Sequence, residues 1–315
     1  MSTAAVRSKS IRQQFADTAL DVGREDPNLV VLVGDISSGI LRPFAQACPG
    51  RFYNVGICEP TIVSMAAGLS KMGFHPVVHT IAPFLIERAF EQWKLDFCYH
   101  RLGGNLVSVG GAFDYSNLGC THHCYGDWAL LKTLEGTEIF APGSAVEYDA
   151  LFRQCYANDR LSLFRIPACS HGIDFEPEAL RAGEAIRVAE GEDLTLVAVG
   201  PRLSAAVAAR ERLKAEGWRP EVLYLHSIRP LDTERIVASA FKTRRLVVIE
   251  EHMRSGGVGD DILRATQGIS GVRVVSLSIP DRFVRDYGTF DEQLSRLGLD
   301  AAAIVASVRE NLRRN

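Results

Sequence analysis

Continuous apolar runs of strand length recur along this chain and alternate with segments of helical periodicity. The clearest run covers residues 28–34 in the first half, and residues 194–200, which include Thr195, begin a second α/β unit. Such runs are typical of strands that are buried on both faces of a parallel sheet. Because strands that alternate with helices form right-handed βαβ units, the sequence predicts an α/β fold with doubly wound, mostly parallel sheets.

The length of the chain and one change in its pattern predict two domains. The 315 residues are enough for two units that each bury a core. Between residues 168 and 193 the periodicity fades into a polar stretch, which is typical of a linker. We therefore expect a first domain at 1–170, a linker at 171–192 and a second α/β domain at 193–315.

Composition argues against several classes of partner. The net charge is −3 and no run of Lys or Arg is present, so we expect neither a nucleic-acid nor a membrane partner. No segment reaches the roughly 18–20 apolar residues of a membrane span, and no apolar run before Phe15 resembles a secretory signal. The seven cysteines include no CxxC pair. Scattered thiols of this kind fit a reducing cytoplasm, where we expect the protein to act.

Glu59 stands where a strand end and a glycine turn lead into a helix. Ile62, Val63 and Ala66 recur at helical spacing and give that helix an apolar face, and Pro60 suits a first helical turn. From these residues alone Glu59 is either an acid that interacts with the helix dipole or a catalytic carboxylate.

Two further segments follow strand ends in the first half. Residues 79–92 run from a strand into a helix that carries aromatic side chains, and residues 110–123 form a glycine-rich loop that ends in two histidines. Open α/β sheets bind their ligands at the carboxyl ends of their strands. We therefore expect both segments to lie near Glu59.

Several ordered motifs together resemble a known family. They are VGICEP, MAAGLS, FLIERAFEQ and LGCTHH, followed in the second domain by VAVGP, SIRPLD and EEHMRSGGVGD. Over about residues 10–312 the chain resembles the C-terminal half of transketolases and the β-type chains of related thiamine-diphosphate enzymes. The resemblance implies a pyrimidine-binding domain followed by a transketolase C-terminal-like domain.

The diphosphate half of that family has no counterpart here. In the family a GDG motif and a later Asn hold the magnesium and the diphosphate, whereas Gly34-Asp35 is followed by Ile36 and no matching Asn is present. The resemblance therefore implies one subunit of a split transketolase. A separate diphosphate-binding subunit would hold most of the Mg²⁺ contacts, in an α2β2 assembly, and this chain would supply no metal ligand.

The resemblance also assigns cofactor and catalytic roles. Glu59 matches the glutamate that hydrogen-bonds N1′ of the aminopyrimidine, so that N4′ can take the proton from thiazolium C2. His122 matches the loop histidine that contacts the substrate. Phe84 matches the aromatic residue that stacks on the pyrimidine. We expect three more residues to line the same cofactor pocket, namely Ile57, Arg88 and Phe90.

The expected substrate contacts include departures from the family pattern. Arg165 matches an arginine that binds a substrate phosphate, which suits a guanidinium fork, and His123 follows His122 as in many split sequences. Leu118 replaces an acidic residue that binds the substrate's 2-hydroxyl, and whether Asp114 compensates is open.

The main functional interpretation is a transketolase-type transferase that moves a two-carbon ketol unit from a ketose, phosphorylated or otherwise anionic, to an aldose. The alternatives are a 2-oxo acid decarboxylase or acyloin-forming component of the E1β type, and a non-catalytic scaffold subunit.

A zinc site at 120–124 is disfavoured because side chains in so tight a run rarely converge on one ion. The glycine loop 255–259 could bind an anion, but we interpret it as structural.

Overall fold

The computed structural model describes residues 9–311. Within these residues lie twelve strands, namely β1 (Leu29–Val33), β2 (Phe52–Asn54), β3 (His75–Ile81), β4 (Gly104–Val109), β5 (Thr137–Phe140), β6 (Leu161–Ile166), β7 (Ile186–Ala189), β8 (Leu194–Val199), β9 (Pro220–Leu225), β10 (Ser227–Arg229), β11 (Arg245–Met253) and β12 (Arg273–Ile279).

The helices of the described range lie between these strands. They are α1 (Ile11–Glu25), α2 (Arg42–Ala47), α3 (Glu59–Lys71), α4 (Phe90–Gln92), α5 (Asp127–Lys132), α6 (Ala145–Cys155), α7 (Leu203–Ala215), α8 (Thr233–Thr243), α9 (Val258–Thr266), α10 (Phe290–Arg296) and α11 (Ala301–Asn311). Two π-helical turns, Phe84–Arg88 and Trp93–Tyr99, flank α4. None of the helices in residues 9–311 has both the length and the apolar character needed to cross a membrane.

The strands form two sheets. The seven-stranded sheet has the order β10-β5-β6-β4-β3-β1-β2, and the five-stranded sheet has the order β12-β11-β8-β9-β7. All neighbouring strands are parallel except the edge pairs β10–β5 and β7–β9. The central strands β1, β4, β6 and β8 are buried along their whole length. The prediction of two α/β units with mostly parallel sheets is confirmed.

Two short strands depart from the simple order of domain, linker and domain. Residues 171–192, expected as a linker, contain β7, which pairs with β9 at the edge of the smaller sheet. Strand β10 comes from the second half of the chain but pairs with β5 of the larger sheet. Neither strand has the continuous apolar run of a central strand, because an antiparallel edge strand needs burial on one face only. The domain boundaries themselves stay a prediction.

A buried carboxylate ties the start of α6 to both halves. Glu147 Oε2 accepts hydrogen bonds from the Gly143 backbone N–H at 2.7 Å and from the Tyr224 hydroxyl at 2.6 Å. Its other oxygen lies 2.6 Å from Nε2 of His171. Since Tyr224 lies on β9 and His171 in the predicted linker, this network joins the two sheets.

Candidate active site

The carboxylate of Glu59 is buried at the first residue of α3. Gly56 has a φ of +80° in the turn that precedes the helix, and Pro60 occupies its first turn. Only 2% of Glu59 is exposed. Its Oε2 accepts a hydrogen bond of 2.7 Å from Nη1 of Arg88. Its Oε1 is buried and has no hydrogen-bond partner among the described residues, so one oxygen is fixed and the other is available to a ligand.

The π-helical turn after β3 brings Phe84 and Arg88 to the same place. The Arg88 guanidinium carbon lies 4.3 Å from the centroid of the Phe84 ring, which is a cation–π distance. Phe84 is half-buried and the Arg88 side chain is 45% exposed. An aromatic face that is partly open beside a buried carboxylate suits a flat, polar ring as ligand.

The loop that follows β4 carries His122 to the Phe84 ring. A two-residue bridge between Ala112 and Cys124 closes this loop, and a 3₁₀ turn, Cys120–His122, ends it. The rings of Phe84 and His122 meet edge to face, with centroids 5.4 Å apart. Nδ1 of His122 shares a hydrogen bond of 2.9 Å with the Thr121 hydroxyl.

The structure thus brings four of the expected site residues together. Contacts run in series from Glu59 through Arg88 and Phe84 to His122. Ile57 lies in the turn before Glu59 and is 69% exposed. Phe90 differs from Phe84 in its contacts, because its half-buried side chain packs against the hydrophobic core.

Arg165 lies elsewhere, between the two halves of the chain. Its side chain is 6% exposed, and Nε lies 3.4 Å from Oδ2 of Asp127. Nη2 donates to the Glu251 carbonyl at 2.8 Å, and the guanidinium carbon lies 4.6 Å from the Trp128 ring. The second half of the chain covers this strand end, and the expected contact with a substrate phosphate stays a prediction.

Asp114 and His123 are also held within the protein. Asp114 Oδ2 accepts a hydrogen bond of 3.1 Å from the Ala168 N–H, and burial together with the nearby Glu251 carboxylate raises the pKa of Asp114 to about 7. His123 is 4% exposed, and neither ring nitrogen has a hydrogen-bond partner within residues 9–311. Burial and the adjacent His122 lower the pKa of His123. Within residues 9–311 neither side chain makes a hydrogen bond, ion pair or ring contact with the series that starts at Glu59.

Both halves of the chain match models of domains from one known family. Residues 7–168 match the family model for the transketolase pyrimidine binding domain, and residues 183–304 match that for the transketolase C-terminal domain. The chain belongs to the transketolase family. Its relatives include separate subunits as well as longer single chains.

Three relatives illustrate this range. The chain is 32% identical to one subunit of the apulose-4-phosphate transketolase of Phocaeicola vulgatus, over 95% of its own length and 96% of the relative's. It is 33% identical to a 1-deoxy-D-xylulose-5-phosphate synthase of Geobacter sulfurreducens over 93% of its own length, but it spans only 46% of that relative. A solved structure of a split gene transketolase, in the form of an inactive tetramer of its beta chain, matches with a TM-score of 0.87 and 29% identity, over 97% of this chain and 98% of the other.

The geometry of this transketolase-family chain fits the pyrimidine end of the family's cofactor. Oε1 of Glu59 is a buried acceptor that lacks a donor in the described part of the chain, and a protonated ring nitrogen would satisfy it. Phe84 supplies a partly open aromatic face beside it. At the end of β1, in contrast, Asp35 and Asn54 hydrogen-bond to each other, which gives no support to a diphosphate site there.

The glycine loop of the second domain binds a carboxylate of the chain itself. Glu250 accepts hydrogen bonds at the start of α9 from the N–H groups of Val258, at 2.6 Å, and Gly259, at 3.0 Å. Burial raises the pKa of Glu250 to about 7. The helix N-terminus is therefore already occupied, which supports the structural interpretation of this loop.

Sequence reasoning missed Tyr115 and Asp127. The ring of Tyr115 lies edge to face with His122, with centroids 6.1 Å apart, and Asp127 is the buried partner of Arg165. The one signal for Tyr115 is Gly110, whose α-carbon leaves room for the tyrosine ring. Nothing in the local pattern around Asp127 distinguishes it from an ordinary first-turn acid.

Proposed function

We propose that this chain is the pyrimidine-binding subunit of a two-component, thiamine-diphosphate-dependent transketolase. The observation that carries the proposal is the buried Oε1 of Glu59, which has no hydrogen-bond partner among residues 9–311. Through Arg88, this carboxylate is joined to the half-buried ring of Phe84. The relatives that occur as separate subunits support a two-component enzyme. A second chain would hold the diphosphate and Mg²⁺, and we propose an α2β2 assembly.

Each residue of the series has a distinct part in this proposal. Glu59 accepts a hydrogen bond from the pyrimidine ring nitrogen, which favours the imino form, while Arg88 fixes the orientation of the carboxylate. Phe84 packs against the pyrimidine. Thiamine diphosphate, when bound, supplies the thiazolium carbon that carries the two-carbon unit. Ile57, an exposed side chain in the turn before Glu59, is the residue we propose to border the pyrimidine on its solvent side.

His122 is the proposed substrate contact. Its Nδ1 is engaged by Thr121, and Nε2 has no partner among residues 9–311, so Nε2 is the nitrogen that can donate to or accept from a sugar oxygen. An imidazole is suited to both tasks near neutral pH. We propose a ketose donor that carries an anionic group and an aldose acceptor, with Leu118 in place of the usual acid.

Calorimetry of cofactor binding tests the proposal. Thiamine diphosphate and Mg²⁺ are titrated into this chain alone and into its complex with the candidate diphosphate-binding subunit, and donor sugars are then screened. We expect tight binding and ketol transfer only in the complex. Tight binding by the single chain would overturn the split site, and binding without transfer by any ketose would favour the decarboxylase or scaffold alternatives.

A further inference from the structure

The imidazole of His122 lies between two aromatic rings. The Phe84 ring meets it at 5.4 Å and 74°, and the Tyr115 ring meets it at 6.1 Å and 87°. Both contacts are edge to face, the arrangement that aromatic pairs prefer at centroid distances of about 4.5–7 Å. The imidazole is therefore restrained from two directions as well as by the Thr121 hydroxyl.

Tyr115 is itself held in place by the backbone beneath it. Gly110 has a φ of +74°, and a Cβ at that position would lie 2.3 Å from Cε2 of Tyr115, so the ring rests directly on the glycine. A turn that is closed by the Leu118 N–H and the Tyr115 carbonyl, 2.9 Å apart, fixes the backbone of Tyr115. The Tyr115 hydroxyl has no hydrogen-bond partner in the described part of the chain. The side chain is therefore held by its ring, which contacts His122 and rests on Gly110.

We propose that Tyr115 is a positioning residue whose ring orients His122, and this inference rests on the proposed function. With Nδ1 bound to Thr121, the angle of the imidazole plane decides where Nε2 faces. Phe84 also contacts Arg88, whereas His122 is the one aromatic partner of the Tyr115 ring among residues 9–311. Without it the imidazole gains rotational freedom, and the sugar oxygen meets a correctly oriented Nε2 for a smaller fraction of the time.

A set of three variants tests the role of the ring. Tyr115→Leu removes the ring, and Tyr115→Phe removes only the hydroxyl. Tyr287→Leu is the matched control, because Tyr287 packs on Gly119 of the same loop but makes no ring contact with His122. In the assembled enzyme we expect Tyr115→Leu to lower kcat about tenfold with little change in KM. Tyr115→Phe and Tyr287→Leu should stay within about twofold of wild type.

NMR of the full chain alone separates this inference from the proposed function. Histidines are labelled with ¹³C at Cε1, and His122→Asn identifies the His122 signal. We expect Tyr115→Leu to shift that signal, whereas Tyr115→Phe and Tyr287→Leu leave it unchanged. If Tyr115→Leu fails to fold, Tyr115→Met takes its place.

The outcomes decide between the alternatives. An unchanged His122 signal in Tyr115→Leu overturns the inference, even if the enzyme is a transketolase. An equal loss of kcat in Tyr115→Phe and Tyr115→Leu also overturns it, because the hydroxyl would then be the active part. Absence of ketol transfer in the wild-type complex counts against the proposed function only, since the NMR comparison needs no turnover.

Discussion

Arg88 donates a hydrogen bond from Nη1 to Oε2 of Glu59 across 2.7 Å, and the second oxygen of that carboxylate stays buried without a partner among residues 9–311. The two side chains differ in burial, because Glu59 is 2% exposed while the side chain of Arg88 is 45% exposed. An exposed arginine can thus fix a buried carboxylate while leaving its second oxygen available to a ring nitrogen.

The first prediction concerns Glu59→Gln in the assembled enzyme. The amide cannot supply the anionic acceptor that favours the imino form, so we expect ketol transfer to fall by at least about 100-fold. Thiamine-diphosphate binding should weaken much less, because packing against Phe84 is retained. Steady-state kinetics and calorimetry measure the two effects. Glu91→Gln, at an exposed position of α4, is the control, and wild-type turnover in Glu59→Gln would contradict the prediction.

The second prediction concerns Arg88→Met. This change leaves both oxygens of the buried Glu59 carboxylate without a donor from residues 9–311, and we expect the free energy of unfolding to fall by about 1 kcal/mol. Urea denaturation of the chain alone measures the loss. In the Glu59→Gln background the same change should cost less. An equal cost in both backgrounds would show that Arg88 does not act through Glu59.

Long, regular signals predicted most of the fold, and they also predicted which residues meet at the centre of the candidate site. The runs of β1 and β8 are buried at every position, because both faces of these strands are covered. The buried hydroxyl of Thr195 on β8 is satisfied by hydrogen bonds to Glu221 and Thr243. Glu59 and His122 follow from ordered motifs at strand ends, where the topology of a parallel sheet brings loops together.

The remaining features depend on contacts between residues distant in sequence. Arg165 is at the strand end where it was expected, but the carbonyl of Glu251 and the carboxylate of Asp127 meet it there. Strand β7 is short, and its partner β9 lies on the far side of β8 and α7 in the chain. Such pairings leave no local periodicity, so the sequence pattern did not predict them.

The third prediction distinguishes two roles of Arg165. Removal of one partner from a buried ion pair leaves the other charge uncompensated, so we expect Arg165→Met to reduce the free energy of unfolding by about 3–5 kcal/mol. A residue that only binds substrate phosphate would raise KM without this loss. Urea denaturation and kinetics on the same samples separate the two cases. Arg282→Met, at an exposed arginine, should be neutral in stability.

The fourth prediction is a pH dependence that arises at Asp114. Burial and the Glu251 carboxylate raise the pKa of Asp114 to about 7 in the folded chain, so the folded state binds a proton that the unfolded state has lost above about pH 4. The stabilisation from this proton is complete below about pH 4 and is lost as the pH rises through 7. The stability of Asp114→Asn relative to wild type should therefore be higher at pH 8 than at pH 5.

Urea midpoints at the two pH values test this difference. Taking the difference between variant and wild type removes the contribution of Glu250, whose pKa is also about 7. The same difference removes the contribution of His79, because burial lowers the pKa of that imidazole to about 4 in wild type and variant alike. A difference that is the same at both pH values would show that Asp114 does not titrate in this range.

The fifth prediction concerns the network that joins the two sheets. The Tyr224 hydroxyl donates to the buried Oε2 of Glu147 at 2.6 Å, and hydrogen bonds to charged groups contribute about 1.5–3 kcal/mol. Because the Gly143 N–H still reaches the same oxygen, we expect Tyr224→Phe to cost about 1.5 kcal/mol, the lower end of that range. Tyr53→Phe removes a hydroxyl that donates to the Gly50 carbonyl at an exposed position and should cost less than about 0.5 kcal/mol. Equal urea midpoints for the two variants would show that the bond to Glu147 does not stabilise the junction between the sheets.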